Sequence, residues 1–140
     1  VDEPYQFNRE NWQPSKSAMR FEAGSPNTLG QTAMIASLGM LQGVGMDQVE
    51  AYIAANSLAL SEGLSDISAV ELLRPYDRQR FSGIVSFIIP GMDPVAVHRM
   101  LKIKCLSCVL RGDAIRLSPH FYQAGEPVQE MLGLIEEIIK

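Results

Sequence analysis

Between Phe81 and Ile89 the chain is mostly apolar and rich in β-branched side chains, the pattern of a central strand covered on both faces. The helix signals begin directly after it. Asp93 is placed to cap and Pro94 to open a helix running to about Lys104, with Val97 and Leu101 facing inward. Leu106 to Arg111 and Ala114 to Ser118 read as two strands, and Gly112 and Asp113 between them form a two-residue hairpin signal. Ser68 to Leu72 reads as a further short strand, separated from the central one by a charged loop that carries Arg74, Arg78 and Arg80. Pro127 opens a last helix whose Val128, Met131, Leu132, Ile135, Ile138 and Ile139 form an apolar stripe.

The first half has a different period. From Thr28 to about Gln42 good helix formers surround a narrow stripe of small residues, Ala33, Ala36 and Gly39, which would let another backbone come close. Gly43, Val44 and Gly45 are expected to stop that helix. Asp47 is placed as the N-cap of a second helix, with Glu50 three residues on as in a capping box. Val49, Ile53, Leu60 and Leu64 share one face of it, and Gly63, Ser65 and Asp66 are expected to end it. Together the two helices make a helical hairpin. Residues 1–20, with Tyr5, Phe7 and Trp12, follow no period and read as an irregular arm. The expected fold class is therefore α+β: a two-layer small domain with a short antiparallel or mixed sheet of about four strands, helices on one face, preceded by a helix pair.

Charge and composition remove several classes of function. The 140 residues carry a net charge of -4, which leaves no electrostatic footprint for nucleic acid and no polybasic patch for a membrane surface. No apolar stretch approaches the length of a bilayer span. The chain opens on Val1 without a signal-peptide pattern, and is expected to be a piece of a longer protein. Cys105 and Cys108 are too few for a disulfide framework, so a reducing, cytoplasmic compartment is the expectation.

Two segments carry the candidate chemistry. In Arg20 to Asn27, a glycine, a hydroxyl, a proline and an asparagine (Gly24, Ser25, Pro26, Asn27) precede a helix. Free N–H groups and the positive end of the helix dipole suit a phosphate or carboxylate there, and Ser25 adds a hydroxyl donor. Ordinary capping suits the same residues, and spacing alone favours it. In Ile115 to Tyr122, Arg116 lies mid-strand with small same-face neighbours, Ala114 and Ser118, which leaves a guanidinium room for a bidentate carboxylate. A surface arginine paired with a glutamate fits the spacing equally.

The other candidates read as structural. Cys105 and Cys108 form C-x-x-C without a second pair for zinc and without opening a helix, and strand geometry would place their sulfurs on opposite faces. His120 reads as a hydrogen-bonded turn residue and His98 as solvated. Met34, Met40 and Met46 read as packing, and Arg74, Arg78 and Arg80 as a solvated loop with an acidic ligand or partner as the lesser reading. No metal site is expected.

Taken together, the two segments resemble those of the class V aminotransferases, the fold-type I pyridoxal-phosphate enzymes that include cysteine desulfurases and kynureninases. Arg20 to Thr28 is similar to the family's R-F-E-x-G-T-P-N segment, and Ile115 to Tyr122 to its I-R-x-S-x-x-x-Y-N segment. The order of elements from about Arg20 to the C-terminus agrees. Ser25 stands where the family has threonine, and Gln123 where it usually has asparagine.

The resemblance implies that residues 21–140 are the C-terminal small domain of such an enzyme, that residues 1–20 end the inter-domain linker, and that the large cofactor domain is absent. It implies pyridoxal 5'-phosphate as cofactor, with Gly24 and Ser25 reaching its phosphate across a homodimer. It implies an amino-acid or oxo-acid substrate whose carboxylate Arg116 binds, and the protein's own large domain and a second subunit as partners. No lysine of this chain matches the family's Schiff-base lysine, so no catalytic residue is assigned and the chain alone is expected to be inactive. The tight turn between Arg111 and Arg116 leaves no room for the loop that carries the nucleophile of cysteine desulfurases. Persulfide chemistry is therefore not expected, and transamination or a related reaction at the α- or β-carbon is. The rival reading is a stand-alone α+β module that binds a small anion or regulates a partner.

Overall fold

The computed structural model describes residues 8, 10, 13–22, 24–77, 79–123 and 126–140. The expectations placed on Tyr5, Phe7, Trp12 and Arg78 lie outside them. The chain divides into two compact units, Val1–Gly43 and Val44–Lys140.

In the first unit a 3-10 turn, Ala18–Phe21, is capped by Ser17, whose side chain accepts from the Met19 N–H. The helix α1, Thr28–Val44, begins after Asn27, whose Oδ1 accepts from the Gly30 N–H at 2.9 Å. Gly43 lies inside this helix rather than ending it. The break falls at Gly45, whose φ of 89° side chains avoid. None of the residues of α1 is buried. Met34 and Met40, expected as packing, are exposed, as is Met46 just beyond.

The second unit holds one sheet and three helices. The helix α2, Met46–Asp66, is followed by β1, Glu71–Leu72, and β2, Val85–Ile88. Then come α3, Pro94–Ile103, the hairpin β3, Val109–Arg111, with β4, Ala114–Leu117, and finally α4, Glu126–Ile139. The four strands run antiparallel in the order β1-β2-β4-β3. Val85, Phe87, Ile115 and Leu117 point to one face and are buried there with Leu60 and Leu64 of α2, Val97 and Leu101 of α3, and Val128, Met131, Leu132 and Ile135 of α4. Burial of this size is the main favourable term, about 1.5–3 kcal/mol for each fully buried aliphatic or aromatic side chain. The fold is the α+β two-layer small domain expected.

Several boundaries differ, each for a local reason. The central strand is shorter than Phe81 to Ile89, and α2, α3 and α4 cover one of its faces: Ser86 and Ile88, on the other, are half-buried. Asp47 lies in the first turn of α2 and makes no cap bond, because Gly45 takes the N-cap position. Gly63 does not end α2, which continues to Asp66. A Cβ on Gly63 would run into Leu132, so the glycine lets α4 approach closely. Asp93 does cap α3, accepting from the Val95 and Ala96 N–H groups at 3.2 Å each.

Candidate functional site

Arg116 sits on β4 between Ser86 of β2 and Val109 of β3, its register partners on the two sides. Both partners share its face of the sheet, away from the helices. This explains why a guanidinium is tolerated mid-strand. Residues 115 and 117 are spent on the core, whereas position 116 faces away from α2, α3 and α4. Its Nε is buried and has no hydrogen-bond partner, and among the described residues Arg116 forms no salt bridge. Among the described residues no glutamate pairs with Arg116. An arginine with an unused donor normally has an acceptor to meet.

Arg116 lines a cavity of about 480 Å³, within the range of small-molecule sites. The same cavity is lined by the end of α3 and the segment leading into β3, including Cys105 and Cys108. The opposite-faces expectation fails because strand geometry begins only at Val109. Residues 101–106 instead close α3 in a two-bond C-terminal motif: the Cys105 N–H donates to the Lys102 carbonyl and the Leu106 N–H to the Leu101 carbonyl, both at 3.0 Å. Cys105 takes the left-handed position of that motif, φ 63°, where glycine is usual. Cys105 is exposed and Cys108 half-buried. Burial pushes the Cys108 thiol up from its ordinary value, and the nearby Lys102 charge offsets part of this. His98, expected to be solvated, is half-buried, with Nε2 3.3 Å from the Cys108 carbonyl oxygen.

The far rim is the turn that follows β4. Asn56 of α2 is buried and donates from Nδ2 to the carbonyls of His120, at 3.0 Å, and Gln123. The His120 N–H donates to Gln123 Oε1 at 2.8 Å. His120 stacks on Tyr122 with ring centroids 4.6 Å apart, and its buried Nδ1 has no partner. Pro119 and Tyr122 from this turn line the Arg116 cavity. Gln123 thus closes the turn through its longer amide, at the position where the family segment has asparagine.

Gly24 and Ser25 belong to the first unit. Gly24 has φ 83°, a conformation for which glycine is the natural residue. Ser25 is exposed ahead of α1, and among the described residues its hydroxyl makes no hydrogen bond, the cap being made by Asn27. Among the described residues no group of three or more His, Cys, Asp or Glu side chains could hold a metal ion.

Neither thiol was singled out by sequence reasoning as part of the Arg116 site. The available signal was position: Cys105 directly follows the last turn of a helix, where the chain must turn left-handed before a strand can start.

Comparison with known proteins bears on the chemistry. The sequence profile of the family described as Aminotransferase class-V matches residues 3–125. A probable cysteine desulfurase of Pyrococcus abyssi is 28% identical over 134 residues, which cover 86% of this chain and 33% of that protein. The apo structure of a cysteine desulfurase from Thermococcus onnurineus NA1 superposes with a TM-score of 0.79 at 25% identity, over 89% of this chain and 34% of that one. The structure of C-DES, described as a cystine C–S lyase and seen with glycine covalently linked to its PLP cofactor, shares the fold with a TM-score of 0.75 at 22% identity, over 83% of this chain and 31% of its own. The chain spans about a third of the length of the curated relatives it matches. These relatives overturn the expectation against cysteine desulfurase chemistry. The hairpin turn is indeed tight, with Gly112 at φ 58° between paired Arg111 and Ala114. The expectation rested on that turn and on Cys108 lying within a strand, whereas β3 begins only at Val109 and both thiols line the Arg116 cavity from the other end of β3. With the profile covering most of its length, the chain belongs to the class V aminotransferase family.

Proposed function

We propose that this chain is the small domain of a pyridoxal-phosphate enzyme that cleaves the carbon–sulfur bond of cysteine or a close relative. The observation that carries the reading is the cavity lined together by Arg116, whose buried Nε has no partner, and two thiols. The names of the relatives support it.

Arg116 binds the substrate carboxylate through a charge-assisted contact worth about 1.5–3 kcal/mol. Gly24 and Ser25 suit a phosphate: the glycine allows close backbone approach and the serine offers a donor, so the cofactor's phosphate would be held there, in the second subunit of a homodimer. Pyridoxal phosphate, when bound, supplies the electron sink that weakens bonds at the substrate's α- and β-carbons. The lysine that carries it belongs to the large domain, and the chain alone is inactive.

Cys105 is the sulfur acceptor in this reading, because it is exposed and next to the carboxylate site. The substrate's Cβ–S bond breaks, its sulfur joins the Cys105 sulfur as a persulfide, and Cβ takes up a proton to leave alanine. Cys108 is half-buried and its pKa is raised by that burial, which makes it the less reactive thiol of the two.

The test uses the full-length enzyme. Arg116→Ala should keep the cofactor's absorbance and raise KM for L-cysteine by about 10- to 100-fold. Cys105→Ala should abolish protein-bound persulfide while Cys108→Ala retains it. Unchanged substrate kinetics in Arg116→Ala would overturn the assignment.

A further inference from the structure

A second cavity, of about 450 Å³, is lined by α2 and by residues from 74–77 and 80–85. Its floor includes Ser57, which is 1% exposed and whose Oγ has no hydrogen-bond partner. A serine or threonine in a helix can return its hydroxyl to the carbonyl four residues back. Thr32, Ser37 and Ser65 of this chain do so. Ser57 does not, and a buried hydroxyl left without a partner costs about 1–3 kcal/mol. Such a group points to an acceptor that arrives from outside.

The rim supplies complementary charge. Arg74 and Arg80 line the cavity and, among the described residues, form no salt bridge. Asp77 is the carboxylate between them, and its Oδ1 already accepts from the Gln79 N–H at 2.9 Å. Two guanidinium groups against one carboxylate leave a net positive mouth. The rings of Tyr76 and Phe81, 6.1 Å apart and tilted by 31°, supply an apolar wall.

We propose that this cavity binds a small organic oxyanion, its acidic head held by Arg74, Arg80 and the Ser57 hydroxyl and its body lying against Tyr76 and Phe81. The head is a carboxylate or a phosphate, both of which suit paired guanidinium groups.

Titration calorimetry on the full-length holoenzyme tests this with benzoate, phenyl phosphate and inorganic phosphate. At least one aromatic probe should bind, and whichever of the two binds more tightly names the head. Joint Arg74→Gln and Arg80→Gln substitution, at two exposed positions, should weaken that probe by about tenfold or more. Ser57→Ala should weaken it by about threefold or more while leaving the melting temperature of ligand-free enzyme unchanged or raised, since an unsatisfied buried hydroxyl has been removed. A lower melting temperature in Ser57→Ala would mean that the hydroxyl has an internal partner, and would overturn the proposal. So would unaltered affinity in the double arginine variant, failure of both aromatic probes to bind, or inorganic phosphate binding as tightly as phenyl phosphate.

Discussion

Cys105 and Cys108 lie three residues apart but occupy different environments. Cys105 holds a left-handed backbone that costs a non-glycine residue roughly 1–2 kcal/mol, and it is exposed. Strain of this kind gathers where a particular side chain is wanted. Cys108 is half-buried, and its raised pKa means that the folded state grips the thiol proton more tightly than the unfolded chain does. Its contribution to stability is therefore complete below the ordinary thiol range and is lost as pH climbs through the raised folded value. The same shift governs reactivity. Near about pH 8, iodoacetamide should modify Cys105 well ahead of Cys108, and the Cys108 rate should climb only above the usual thiol range. Peptide mass spectrometry of a timed reaction reads both; faster labelling of Cys108 would contradict the shift. Arg116 and the Gly24–Ser25 pair could be nominated from the sequence because each signal is short-range, small neighbours in a strand and a hydroxyl ahead of a helix, although spacing alone favoured ordinary capping at the second. The cysteines were misplaced because a strand was extended through Leu106, where α3 was still turning out.

At the scale of elements, α2 does more than cover the sheet. Asn56 ties it to the turn of residues 118–123, which carries Pro119 and Tyr122 on the rim of the Arg116 cavity. The substitution Asn56→Asp would set a carboxylate against two carbonyl oxygens. It should destabilise the fold by about 2–3 kcal/mol at neutral pH, read as a lower urea midpoint. The loss should shrink in acid, where the new carboxyl takes up a proton and can donate: its folded pKa is raised, so it favours folding below its unfolded value. An unaltered midpoint at neutral pH would show that the staple carries no stability. Nothing local foretells this contact, which joins residues 64 and 67 positions apart. The elements themselves were predictable. The α4 stripe, the Asp93 cap and the Gly112 turn follow from periodicity and turn chemistry, and the errors fell at ends such as Gly43 and Asp47, where two neighbouring signals competed.

For the whole molecule, the exposed apolar residues of α1 are the salient property. Leu29, Met34, Ile35, Leu38 and Met40 are all exposed, Ile35 at 71%. Exposed apolar surface of this extent drives association. The isolated 140-residue chain should run as concentration-dependent oligomers in chromatography with light scattering, and Ile35→Lys with Leu38→Lys should return it toward monomer. A strictly monomeric parent chain at high concentration would refute this. What residue order determined unaided is the succession of helices and strands, the one-sided core and the family, since each rests on dihedral preferences and periods that act over a few neighbours. Only the folded packing decided that Arg116 lines one cavity with both thiols, and that Ser57 lines another with Arg74 and Arg80. Those groupings depend on sheet register and on how α2 and α3 seat against it, which are properties of the summed packing energy and of no single segment.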